Sequence, residues 1–108
     1  EFRTKLLGDL EFKNLLAFMC FYSYFSEDYD FTNKRVLIVD DICSRGGTFL
    51  HSARKLKELG ANKIYLYVSH CENTILTGEL LEGDLVEKVF TTNSIFTKSH
   101  KKIEVFEI

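Results

Sequence analysis

Val36, Leu37, Ile38 and Val39 form an unbroken apolar run that ends abruptly on the acidic pair Asp40 and Asp41. Three of the four are β-branched, and nothing polar alternates with them. A run of that kind suits a central parallel strand covered on both faces. After Ile42, Cys43, Ser44 and Arg45 come Gly46, Gly47 and Thr48, and then Phe49, Ala53 and Leu56 recur at the i, i+4, i+7 spacing of an apolar helix stripe. The order is strand, acidic loop, glycine turn, helix, which makes the chain α/β.

That order carries a chemistry. Glycines at a helix start let backbone N–H groups come close to a ligand, and the helix N-terminus adds roughly half a positive charge, so the place suits a phosphate. Carboxylates at the carboxyl end of a strand sit where open α/β sheets bind ligands. Asp40 and Asp41 can accept hydrogen bonds from vicinal hydroxyls or help hold a magnesium ion, which keeps waters and takes only one or two carboxylates beside substrate phosphates. A sugar phosphate satisfies both halves.

The stretch from Val36 to Thr48 resembles the phosphoribosyl pyrophosphate (PRPP) binding signature shared by type I phosphoribosyltransferases and ribose-phosphate diphosphokinases, the PRPP synthetases. In that family the acidic pair contacts the ribose hydroxyls, while the loop and helix start grip the 5-phosphate. Carried over by position, the resemblance implies Asp40 and Asp41 as ribose contacts and Ser44, Arg45, Gly46, Gly47 and Thr48 as the phosphate cradle. Arg45 stands where the family usually has Thr. Further on, Ser69-His70-Cys71 and Phe90-Thr91-Thr92-Asn93-Ser94-Ile95 resemble the ends of corresponding PRPP synthetase strands, with Phe96 in place of a family Pro. The resemblance runs from about Lys34 to Ile108 and is closer to the synthetases than to the transferases.

What the resemblance implies is a phosphoribosyltransferase-like domain over residues 35–108, a mostly parallel sheet flanked by helices. Its expected role is the ribose-phosphate half of an enzyme that moves the diphosphate of ATP to ribose 5-phosphate with Mg2+. The family builds its ATP site largely from an N-terminal domain and a neighbouring subunit, and nothing in these residues resembles that site. The chain alone is therefore expected to bind ribose 5-phosphate or PRPP without turnover, as part of a cytoplasmic homo-oligomer. No catalytic residue is assigned. Two other readings stay open. One is a phosphoribosyltransferase that joins a nucleobase to PRPP, with segment 15–25 contributing a base hood; the other is a non-catalytic PRPP-binding module.

The remaining pattern supports regular α/β organisation. The helix is expected from about Thr48 to Leu59, with Gly60 ending it and Arg54, Lys55 and Lys57 in its last turns. Lys63 to Ser69 reads as a second strand, and strand–helix–strand of this length makes a parallel βαβ unit. A weaker helix over about Thr74–Leu81, strands at Val86–Phe90 and Ile103–Phe106, and an antiparallel edge complete the expectation.

Composition narrows the classes. The 108 residues make one domain, and 45% hydrophobic residues with ten phenylalanines supply a core. A net charge of -2 without a basic cluster excludes nucleic acid as the principal partner. Three widely spaced cysteines, Cys20, Cys43 and Cys71, match neither a disulfide framework nor a zinc pattern, which points to a reducing compartment. The chain begins on Glu1 rather than a methionine and ends at Ile108 within an expected strand, which reads as a fragment.

Residues 1–34 match nothing in the family. The uncharged stretch Leu15–Phe25 is too short to cross a bilayer, which takes about 20 residues, and lacks the flanks of a signal peptide. It reads as an apolar helix capped by Asp9, buried or facing a partner. Cys43 reads as a small packing residue, since no His or Asp is placed to activate it. His70 reads as a hydrogen-bonded structural residue, and Thr92 and Asn93 either line the pocket or close a turn.

Overall fold

The apolar run forms the core of strand β2 (Arg35–Cys43), flanked by β1 (Leu15–Met19) and β3 (Lys63–Cys71), with β4 (Lys88–Thr92) and β5 (Ile103–Phe106) beyond. Helix α1 (Gly47–Glu58) links β2 to β3, and a 3₁₀ turn (Asn73–Thr77) opens the connection from β3 to β4. This computed structural model describes residues 31–108 and the strand at 15–19. The sheet order is β1-β2-β3-β4-β5, and every neighbouring pair is parallel. The α/β class and the parallel sheet expected from the sequence are therefore present, with α1 the one α-helix among the described residues.

Both faces of β2 are buried, which is why its sequence does not alternate. Val36 and Ile38 pack with Ile64, Leu66, Val68 and Val89 beneath Phe49, Ala53 and Leu56 of α1. Right-handed crossovers between sequentially ordered parallel strands fall on one face, and Phe31, Leu80, Val86 and Phe96 from the other connections join this same cluster. On the opposite face Leu37, Tyr65, Phe90 and Phe106 form a second cluster. Phe90 is its centre, with ring centroids 6.3 Å from Tyr65 and 6.2 Å from Phe106, spacings that favour tilted aromatic pairs.

The helix ends as its sequence dictates. Gly60, at φ 95°, takes the left-handed position that a side chain resists, and the Gly60 and Ala61 amides close back on the Lys57 and Leu56 carbonyls. Lys55 and Lys57 lie in that last turn, near the negative end of the dipole.

Three expectations are corrected. Leu15–Met19 is a strand, not part of a helix, and pairs in parallel from Leu15 opposite Arg35 to Met19 opposite Val39. A short uncharged run has no periodicity to choose between helix and buried strand, and the free edge of β2 supplies backbone partners. The rest of that expected helix, with its cap Asp9 and residues 20–25, lies outside the described residues. The edge strand β5 is parallel to β4, and the antiparallel pairing among the described residues is one isolated bridge between His100 and Ile103. The expected helix over Thr74–Leu81 is only the 3₁₀ turn, because Gly78 takes an extended conformation at φ -92°, ψ -173°. No helix among the described residues is long and apolar enough to cross a membrane.

Candidate phosphate and ribose site

Strands β2 and β3 outrun their neighbour β4 at the carboxyl end, and their register continues through Asp40 opposite Val68 to Cys43 opposite Cys71. The chain then turns through Ser44 and Arg45 into Gly46, the helix N-cap, which sits at φ 91°. That left-handed conformation requires glycine in practice. The Leu50 amide closes the first helical bond on the Gly46 carbonyl at 2.8 Å. No side chain caps the helix and no acidic residue occupies its first turn. The amides of Gly47, Thr48 and Phe49 therefore have no partner within the helix, and the positive end of its dipole is uncompensated.

Around this turn lies an open cleft of about 360 Å³, lined by Asp40, Ile42 and the stretch from Ser44 to Phe49. The structure thus brings Asp40 together with Ser44, Arg45, Gly46, Gly47 and Thr48. Asp41 lies outside the lining and is exposed. Its amide donates to Asp40 Oδ1 at 2.8 Å, and its carbonyl accepts from Ser69 Oγ at 3.0 Å. Burial raises the Asp40 carboxyl above the ordinary aspartate range; the Asp41 amide opposes the rise, and the Asp41 carboxyl adds to it.

The loop is held from behind by a segment that sequence reasoning did not single out. The Glu72 amide donates to the Cys43 carbonyl at 2.8 Å, and Ser44 Oγ donates to the Glu72 carboxylate. Arg45 Nη2 donates to the Thr77 carbonyl at 3.2 Å. Leu80, fully buried, packs against Gly46. Gly78 is the one local signal in this stretch, and a single glycine does not announce its purpose.

Other singled-out residues have structural places. Cys43 and Cys71 are buried free thiols in contact at register-paired positions. The Cys71 thiol beside it, together with burial, pushes the Cys43 thiol up and keeps it neutral, while the hydrogen bond from Cys43 draws the Cys71 thiol down. His70 Nδ1 shares a 2.8 Å hydrogen bond with Ser94 Oγ. Thr92 Oγ1 donates to the Ser69 carbonyl at 2.6 Å, and Asn93 Oδ1 accepts from the Ile108 amide at 3.1 Å. Thr92 and Asn93 thus close the strand ends. Among the described residues no group of three or more His, Cys, Asp or Glu side chains is placed to hold a metal by itself.

Residues 28–108 match the family described as the phosphoribosyl synthetase-associated domain. The chain belongs to this family. Relatives of this phosphoribosyl synthetase-associated domain include ribose-phosphate pyrophosphokinases from two organisms. That of Thermococcus kodakarensis is 41% identical over 76 residues, which is 65% of this chain and 25% of that protein. That of Mycoplasmopsis pulmonis is 34% identical over 83 residues, 73% of this chain and 26% of that protein. The chain spans about a quarter of the length of the curated relatives it matches. In fold, the domain is similar to the phosphoribosylpyrophosphate synthetase of Mycobacterium smegmatis, with a TM-score of 0.63 at 21% identity, over 73% of this chain and 28% of that one.

Proposed function

We propose that residues 35–108 are the phosphoribosyltransferase-like, C-terminal part of a ribose-phosphate pyrophosphokinase and bind the ribose 5-phosphate that receives the diphosphate of ATP. The observation that carries this is the cleft itself, in which the Asp40 carboxylate faces the same space as the uncapped start of α1. The 5-phosphate sits against the amides of Gly47, Thr48 and Phe49, with Thr48 as hydroxyl donor, while the Ser44 hydroxyl is held by Glu72 at the edge of the cradle. Asp40 accepts from the ribose hydroxyls, and Asp41, exposed outside the lining, adds its charge beside it. Held this way, the sugar presents its 1-hydroxyl outward to ATP, which a further domain or a neighbouring subunit supplies.

Diphosphate transfer asks for positioning and charge neutralisation rather than covalent help from the protein. Magnesium supplies the neutralisation when bound to the phosphates. The residues present fit an ion shared with substrate, since one or two carboxylates beside phosphate oxygens and waters suffice, and Asp40 is the cleft-lining carboxylate. Two buried free thiols support a reducing, cytoplasmic setting, and a homo-oligomer would bring the ATP-binding surface from a neighbouring subunit.

Titration calorimetry of ribose 5-phosphate and of PRPP, with and without Mg2+, tests the site. Binding to the wild-type chain is expected to weaken by about tenfold or more, roughly the 1.4 kcal/mol of one charge-assisted hydrogen bond, in Asp40→Asn/Asp41→Asn. Equal affinity in the two folded proteins would remove the acidic pair from the site. No binding of either ligand to the folded wild type would refute ribose-phosphate recognition by this chain.

A further inference from the structure

Gly78 is a glycine for reasons of space rather than backbone conformation. Its φ of -92° and ψ of -173° are open to any residue. A Cβ built there, however, would lie 2.1 Å from the Arg45 carbonyl oxygen and 3.0 Å from the Arg45 carbonyl carbon. Glycine is the residue that permits so close an approach of two backbones. The approach is made against the middle of the loop that shapes the cleft.

It is one of a series. Each residue from Cys43 to Gly46 meets the segment 72–80: the Cys43 carbonyl takes the Glu72 amide, Ser44 Oγ the Glu72 carboxylate, the Arg45 guanidinium the Thr77 carbonyl, and Gly46 lies against Leu80. The segment is itself fixed at its start. Asn73 Nδ2 donates to Thr97 Oγ1 at 2.9 Å, and the Thr97 amide donates to Asn73 Oδ1 at 3.0 Å. Ile75 and Leu80 are fully buried in the core beside α1.

We propose that residues 72–80 are a strap that sets the conformation of the phosphate loop, and that Gly78 is a positioning residue for phosphate binding. The loop residues Ser44 and Arg45 have no secondary structure of their own, and the backbone amides from here into α1 can face an anion only if something else holds the loop. The strap does so without itself lining the cleft. Any side chain at Gly78 displaces the Arg45 carbonyl, and with it the peptide that leads into Gly46 and the α1 start. The phosphate role of the loop rests on the function proposed above; the mechanical role of the strap does not.

The test is Gly78→Ala in the full chain, read by amide hydrogen exchange and by ribose 5-phosphate titration. Exchange of the Leu50 and Glu72 amides, which donate to the Gly46 and Cys43 carbonyls of the loop, is expected to rise at least about tenfold while the β2 and β3 core amides stay protected, and affinity is expected to fall at least about tenfold. Unchanged loop exchange, or faster exchange without loss of affinity, would overturn the positioning role. Should the wild type bind no ribose 5-phosphate, the proposed function fails, and the exchange arm alone still decides whether the strap holds the loop. Should Gly78→Ala not fold, Asn73→Ala and Glu72→Ala loosen the strap without adding bulk, since each removes the side-chain partner of one of its bonds. Wild-type loop exchange in both of these would equally refute the strap.

Discussion

The guanidinium of Arg45 donates to the carbonyl of Thr77 at 3.2 Å, so the cation of the loop is tied to the segment behind it. It neighbours the cleft, yet this hydrogen bond is to backbone. The N-terminal amides of α1 then carry most of an anion's binding, and Arg45 contributes mainly through field and through the bond to Thr77. Arg45→Met is expected to destabilise the chain by only about 0.5–1 kcal/mol, the worth of one exposed hydrogen bond. Its cost to ribose 5-phosphate affinity is expected to stay under about fivefold and to shrink at high salt. Urea denaturation and calorimetry at two salt concentrations measure both.

The adjacent glycines Gly46 and Gly47 are expected to respond in opposite ways to alanine. At Gly46 the backbone is left-handed, and a Cβ would lie 2.9 Å from Leu80 Cδ2. Gly46→Ala should cost about 2–3 kcal/mol, from a conformational penalty of about 1–2 and the overpacking of Leu80. At Gly47 a Cβ meets nothing within 4 Å, and the residue is the first of the helix. Gly47→Ala should stabilise by roughly 0.5 kcal/mol through the unfolded chain. Denaturation midpoints of the two variants separate them.

Asp40 gives the fold a definite pH dependence. Its carboxyl is raised by burial, so the native state prefers it protonated. The stability linked to this group is present below the ordinary aspartate value and is lost as the pH rises through the raised native one. Asp40→Asn, which keeps an acceptor for the Asp41 amide, is expected to be more stable than wild type near neutral pH. At about pH 3, where the wild-type carboxyl is largely protonated, the difference should vanish. Thermal unfolding at the two pH values checks this, and a wild type that is the more stable protein near neutrality would contradict it.

Cys43 and Cys71 should be inert in the native chain. Both are buried, and Cys43 is held neutral, whereas reaction needs an accessible thiolate. Alkylation followed by mass spectrometry is expected to modify them only under denaturing conditions. Cys43→Ser places a hydroxyl in the same apolar site and is expected to cost about 1–3 kcal/mol.

Much of the site was legible in local sequence because it is built from one continuous stretch. A non-alternating apolar run followed by acids and glycines fixes strand, loop and helix start through near-neighbour geometry. Phe49, Ala53 and Leu56 then place α1 over the sheet by their period alone. Gly60 marked the helix end for the same reason, since the left-handed turn is a property of that residue.

Tertiary structure decided what depends on partners distant in the chain. Leu15–Met19 became a strand because β2 offered an edge, and β5 became parallel through its register with β4. Asp40 entered the cleft while Asp41 stayed outside it, although the two are adjacent acids, because successive strand residues point to opposite sides. The strap was hidden most completely. Gly78 and Arg45 lie far apart in sequence, and their backbones touch because β2 and β3 are parallel neighbours whose carboxyl ends emerge side by side. Local periodicity fixes how a segment folds, but only the register of the sheet fixes which loops meet.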